Sequence, residues 1–174
     1  VSELDEIFER HESDKLRNGY SGMYQRIFNP IRKRAPLRIL EIGAGTSRRS
    51  LRAFRDYCPN ATFLGLDIDP SARFTEERIE TGTCDSTDAL GVSRFFAWRR
   101  DGWFDLIIDD GDHFEDAQVA TFVNFHRKVR KGGIYVIEGI EREDSYVFHF
   151  WEAIAGWRFR PFDRRPNALA LERV

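Results

Sequence analysis

Five short apolar runs, each ending on glycine or an acid, constrain this chain more than any other feature. They are LRILEIGAG (37–45), ATFLGLDID (61–69), IETGTCDSTD (79–88), WFDLIIDD (103–110) and IYVIEG (134–139). A strand that is apolar at nearly every position has two faces to bury, and a parallel sheet covered by helices on both sides is the arrangement that does so. The intervening segments supply those helices. SELDEIFERHE (2–12) places Leu4, Ile7 and Phe8 on one stripe behind Ser2 as N-cap, and a second helix is expected from about Ser21 until Pro30 breaks it. TSRRSLRAFRDYCP turns Leu51, Phe54 and Tyr57 inward, and VSRFFAWRR reads as a short helix. EDAQVATFVNFHRKVRKGG reads as a helix with Val119, Phe122, Val123 and Val129 inward and Lys131-Gly132-Gly133 as its stop. YVFHFWEAIAG (146–156) reads as helical, and WRFRPFDRRPNALALERV (157–174) as a closing hairpin with Pro166-Asn167 in its turn. The expectation is an α/β fold: a Rossmann-like, doubly wound, mostly parallel sheet with a C-terminal antiparallel hairpin and helices on both faces. Residues 1–174 read as a single domain, with 1–35 as an N-terminal helical lid segment and 36–174 as the core.

Composition removes several classes. A net charge of −2 argues against a general nucleic-acid binder, which carries a basic excess, so pairs such as Arg48-Arg49 and Arg99-Arg100 read as solvated surface. No run approaches the roughly 20 apolar residues of a membrane helix, and no charged-then-apolar leader is visible. Cys58 and Cys84 lack metal-ligand spacing and form no disulfide framework, which sets a cytoplasmic location as the expectation. The chain starts at Val1, which leaves a longer parent protein open.

In open α/β sheets the ligand lies beyond the carboxyl ends of the strands. Here those ends carry Glu41, Gly43 and Gly45, then Asp67, Asp85 with Ser86, Asp109 with Asp110, and Glu138. Asp67 follows Gly45 at the roughly 20-residue interval that suits a carboxylate accepting ribose hydroxyls. The third glycine of the dinucleotide fingerprint is Arg48 instead, and no Gly-Lys-Ser/Thr phosphate loop follows. An acid-ringed pocket without a phosphate cradle suits a cationic nucleoside such as S-adenosylmethionine (SAM) better than NAD. His113, three residues past Asp110, is placed to take a proton from an acceptor.

The segments LRILEIGAGTSRRSLRAFRDYCPNATFLGLDIDP, CDSTD, WFDLIIDDGDHFEDAQVATF and KGGIYVIEGI resemble, in order and spacing, class I SAM-dependent methyltransferases. The resemblance is strongest to the sugar O-methyltransferases of macrolide and other antibiotic pathways, relatives of cephalosporin hydroxylase-like proteins. Upstream, HESDK and GYSGMY resemble that group's Gly-Thr-Asp-Lys and Tyr-x-x-x-Tyr segments. The resemblance implies Gly43 and Gly45 along the methionine part of SAM, with Glu41 beside them. It implies Asp67 on the ribose, Asp85 and Ser86 near the adenine, Asp109 at the methionine end, and Tyr20 and Tyr24 as a lid. It further implies His113 as general base, assisted by Asp110, and Mg²⁺ held by Asp110, Glu138 and a third acid. That third position is Gly139 here, leaving Asp112, Glu141 or water as the substitute, and Asp112 stands where the group has serine.

The implied activity is methyl transfer to a hydroxyl of a sugar or glycosylated natural product. The implied partner is a small-molecule or glycan acceptor, with no nucleic acid and no membrane, and a homo-oligomer is left open. Two other readings stand beside it. One is a catalytically degenerate SAM-binding or scaffold domain, motivated by Gly139 and Arg48-Arg49. The other is an NAD-dependent oxidoreductase, which position 48 disfavours. His126, His149 and the aromatic residues Phe148, Phe150, Trp151, Trp157 and Phe159 read as packing or contact residues.

Overall fold

A computed structural model describes residues 1–140, 156–159 and 167–174. Strands β1 (Leu37–Ile42), β2 (Ala61–Asp67), β3 (Thr75–Glu76), β4 (Ile79–Thr83), β5 (Phe104–Asp109), β6 (Val129–Glu138), β7 (Trp157–Phe159) and β8 (Ala168–Arg173) form one sheet. Its order is β3-β4-β2-β1-β5-β6-β8-β7. The pairs β1/β2, β1/β5, β2/β4 and β5/β6 are parallel, whereas β3/β4, β6/β8 and β7/β8 are antiparallel. The expected architecture is therefore found, including the antiparallel closing strands. The chain leaves β1 to build one side of the sheet through β2 and β4, then returns to build the other through β5 and β6. That reversal opens a crevice at the carboxyl end of β1.

Alternation along each strand feeds two cores. Ile39, Leu106, Ile108 and Val136 face helices α1 (Glu3–Arg10), α3 (Ser21–Phe28) and α4 (Arg49–Tyr57). Leu40, Leu66, Ile107 and Ile137 face α5 (Ala89–Phe95) and α6 (Glu115–Phe125). Helix α1 starts on a capping box: the Asp5 amide donates to Ser2 Oγ, and the Ser2 amide to Asp5 Oδ2. Its stripe of Leu4, Ile7 and Phe8 is buried, as expected. Phe54 of α4 meets the rings of Phe8, Tyr24 and Phe28 at centroid distances of 5.6, 4.8 and 5.2 Å. Replacing such a fully buried ring by alanine costs about 3–5 kcal/mol, so helices α1 and α3 are a packed layer against the sheet. Between them lies a short helix, α2 (Asp14–Arg17), capped by Ser13.

Two readings of local structure change. Helix α6 stops at Phe125, followed by a 3-10 turn over His126–Lys128, and Lys131-Gly132-Gly133 lie inside β6. The His126 imidazole approaches the Phe122 and Val123 carbonyls, and Arg130 Nε donates to Asp105 Oδ1 at 2.6 Å, fixing the new strand. Gly132, at φ +68°, accommodates the register shift against β5. Second, the inward face of α6 is Gln118, Thr121, Phe122 and Phe125, while Val123 is exposed. The expected helix over 146–156, Glu141, His149, Phe148, Phe150, Trp151 and the Pro166 turn lie outside the described residues. Among the described residues no helix is long and apolar enough to cross a membrane.

Candidate functional site

The carboxyl rim of the sheet divides into two parts. The first is an open cavity of about 510 Å³ on the β2/β4 side, within the range of small-molecule sites. Gly43 lies on its floor, and Gly45 lines an adjoining cavity of about 270 Å³ that shares Gly43 and Asp110 with it. Gly43 (φ +78°) donates to the Leu66 carbonyl at 2.8 Å, and a Cβ there would lie 2.1 Å from the Asp110 carbonyl oxygen. Only glycine permits that approach of the two loops. Gly45 (φ +62°) donates to Asp67 Oδ2 at 2.8 Å, and the space beside it is open. Asp67 Oδ1 accepts the Asp69 amide at 2.9 Å, so the turn fixes the carboxylate with its outer face free.

Asp85 lies across the cavity. The Thr87 hydroxyl and amide donate to its Oδ1 and hold its carboxyl below the usual range. Ser86 Oγ shares a 2.8 Å hydrogen bond with Thr121 Oγ1. The lining carries Asp67, Asp85, Asp110 and Asp112 and no lysine or arginine, so it favours a cation over a phosphate. Ile68, 68% exposed, adds an apolar flank at the mouth. Sequence reading passed over it as a strand residue; its position between the acids Asp67 and Asp69 was the available signal.

The second part is closed. Lys15 of α2 is fully buried, with Nζ 2.5 Å from Asp110 Oδ2, 2.7 Å from Glu138 Oε2 and 3.9 Å from Glu41 Oε1. Burial favours the neutral amine, but the Glu138, Asp110 and Glu41 carboxylates outweigh it and hold the ammonium charged. Burial pushes Glu138 up to about 8 and Glu41 up to about 7, against the pull of Lys15. Asp110 stays below the ordinary range despite burial, because His113 and Lys15 both donate to it. His113 Nε2 lies 3.2 Å from Asp110 Oδ1, and that bond raises the imidazole pKa. The histidine is exposed on the rim, and its ring packs over Gly139 (φ +69°), where a Cβ would stand 2.4 Å from the ring.

The structure thus brings Lys15, Glu41, Asp110, His113 and Glu138 together, with Asp110 lining the open cavity as well. It places Tyr20 and Tyr24 elsewhere than a lid over that cavity. Both rings are buried; Tyr24 OH donates to Glu138 Oε1, and Tyr20 OH donates to Asn167 Oδ1 and accepts from the Gly139 amide. Burial first, then the Glu138 charge, pushes the Tyr20 phenol up to about 12. Asp109 lines neither the cavity nor the knot. It is buried, accepts from the Gly111 amide and the Tyr135 hydroxyl, and is pushed up to about 7 by burial. Its contribution is to shape the loop that carries Asp110. Lys15 was quoted in HESDK but given no role by sequence reading.

The donor set at the expected metal position does not fit a divalent cation. Mg²⁺ takes an octahedron of oxygens. Here both carboxylate oxygens of Asp110 and both of Glu138 already face Lys15, His113 or Tyr24, and Gly139 offers no side chain. Among the described residues no group of three His, Cys, Asp or Glu is arranged to hold a metal. A SAM-sized cation fits the open cavity better, since four aspartates line it. A further cavity of about 460 Å³, lined by Arg38, Arg78, Trp98 and Trp103 among others, opens at the amino ends of the strands, away from these groups.

Comparison with known proteins agrees with this geometry. No family model matches the chain. The 8-demethyl-8-(2-methoxy-alpha-L-rhamnosyl)-tetracenomycin-C 3'-O-methyltransferase of Streptomyces olivaceus is 35% identical over 79% of this chain and 37% of its own length. The mycinamicin VI 2''-O-methyltransferase of Micromonospora griseorubida is 34% identical over 78% of this chain and 35% of its own. Among solved structures, the MycE methyltransferase of the mycinamycin pathway, in complex with Mg and SAH, superposes with a TM-score of 0.80 at 26% identity, covering 98% of this chain and 54% of that one. The chain therefore spans little more than a third of these curated relatives and about half of the solved one. Over that span it is a relative of the antibiotic sugar O-methyltransferases and shares their Rossmann-like fold.

Proposed function

We propose that this chain is a SAM-dependent O-methyltransferase domain acting on a hydroxyl of a sugar or glycosylated natural product, with His113 as general base. The observation that carries this reading is the hydrogen bond between the exposed His113 and Asp110, an aspartate that lines the acid-rich cavity. The identity to sugar O-methyltransferases supports it.

SAM, when bound, would supply a sulfonium methyl for in-line attack by an acceptor oxygen, with the thioether of S-adenosylhomocysteine as leaving group. This chain's residues do the rest. Asp67, already fixed by the Gly45 and Asp69 amides, presents its free face to a ribose diol. Ile68 and Ser86 flank the base, and the acids of the wall offset the cationic charge. Asp110 accepts from the His113 ring, orienting the imidazole and stabilising the imidazolium formed when His113 takes the acceptor proton. The Lys15 ammonium keeps Asp110 ionised and so available for that role.

Calorimetric titration with S-adenosylhomocysteine, followed by an acceptor screen over glycosylated polyketides, tests the proposal. Saturable binding with turnover that His113→Ala reduces by about 10²–10⁴-fold supports it. Binding without turnover across the screen favours the degenerate SAM-binding module. Absence of binding by folded protein overturns the proposal.

A further inference from the structure

We infer that the Lys15 ammonium is the resident cation of the acceptor side, filling the position between Asp110 and Glu138 so that the site works without a bound divalent metal. The inference rests on the methyltransferase reading only for what the cation serves; its occupancy of the site stands on geometry alone. Three observations converge on it. Nζ lies within hydrogen-bond distance of one oxygen of each acid, 2.5 and 2.7 Å away, and the lysine is fully buried. The other oxygen of each acid is engaged, by the His113 ring on Asp110 and the Tyr24 hydroxyl on Glu138. A third carboxylate at position 139 is not merely missing. The His113 ring occupies the place its Cβ would need, 2.4 Å away.

A metal bonded to both acids would overlap the volume held by Nζ, and a buried ammonium displaced from its carboxylates is strongly disfavoured. In the geometry seen here, a cation could bond both acids only by displacing Lys15 from between them. With Lys15 in place the charge requirement of the cluster is met, and a six-oxygen coordination shell cannot form there without rebuilding it. Oriented in this way, the ammonium does for Asp110 what a metal would do for a ligand carboxylate: it holds the acid ionised and fixes its direction.

The test reads metal uptake directly, using Mn²⁺ as probe and the loss of the free-ion electron paramagnetic resonance signal as readout. Wild-type protein is expected to show no saturable uptake. Lys15→Met, which removes the charge but keeps the stem, is expected to gain one Mn²⁺ site at least about tenfold tighter than any wild-type binding. Adding Asp110→Asn should abolish that site. Saturable uptake of one Mn²⁺ by the wild type, lost in Asp110→Asn, overturns the inference.

Should Lys15→Met fail to fold, ¹⁵N-lysine spectra of the wild type decide the matter. A slowly exchanging Lys15 ammonium signal unmoved by added Mg²⁺ is expected, and its displacement by Mg²⁺ overturns the proposal. These readouts need no SAM and no acceptor, so failure to bind S-adenosylhomocysteine would remove the functional reading and leave this one standing.

Discussion

Two stretches of one rim, joined at Asp110, treat the acids at the strand ends in opposite ways. On the β2/β4 side, Asp67 and Asp85 stay in contact with water and take their hydrogen bonds from loop amides and the Thr87 hydroxyl. On the β1/β6 side, Glu41 and Glu138 are at 0% and 1% exposure, and the charge they face arrives from α2, more than a hundred residues away from Glu138 in sequence. Strand-terminal acids are thus not one class. What covers the strand end decides whether the acid is a ready-made acceptor for a ligand or part of a dry, charge-balanced knot.

The largest expected break in this contrast comes from Lys15→Met. It leaves buried carboxylates uncompensated and should destabilise the fold by about 3–5 kcal/mol in urea unfolding. A loss no larger than that of a surface lysine would show that water reaches the knot.

Glu41→Gln should work in the other direction. The folded-state pKa of Glu41, about 7, lies above its ordinary value of 4.5. The folded state therefore holds a proton that the unfolded state releases, and stability falls as pH rises across that window. Removing the group abolishes that slope. The variant should match wild type near pH 4 and exceed it near pH 8, by at most ~3 kcal/mol, in paired thermal melts. An equal difference at both pH values would place Glu41 in contact with solvent.

Asp67→Asn addresses the wet side. It should weaken S-adenosylhomocysteine by about tenfold, the worth of a charge-assisted hydrogen bond, and leave stability within about 1 kcal/mol of wild type. Calorimetry and urea melts on one preparation separate the two quantities. Asp85→Asn should have the smallest effect on folding, within about 1 kcal/mol, because Asn retains an oxygen that accepts from Thr87.

The wet side was also the legible side, and for the same reason. Glycines before an open loop and an acid about 20 residues on are local signals that survive in a string of letters. The parallel order was legible because β1, β2 and β5 are apolar on both faces. Lys15 was not, since it sits in a polar stretch and earns its burial only from Asp110 and Glu138, 95 and 123 residues later. The lid reading of Tyr20 and Tyr24 rests on the resemblance of GYSGMY to the group's Tyr-x-x-x-Tyr segment, and only the tertiary fold turns their hydroxyls toward Glu138 and Gly139. The end of α6 was misplaced because Gly132 bends a strand as readily as it stops a helix.

Gly43 carries one more consequence. Its backbone touches that of Asp110, and the Asp110 amide donates to the Ile42 carbonyl at 2.9 Å, so the donor loop and the acceptor loop share a single wall with no side chain between them. A ligand that shifts one loop has to move the other or be resisted by it. Under the proposed function, donor and acceptor would be thermodynamically linked through that wall, and linkage runs both ways: whatever factor the acceptor imposes on the affinity of the donor, the donor imposes on the acceptor.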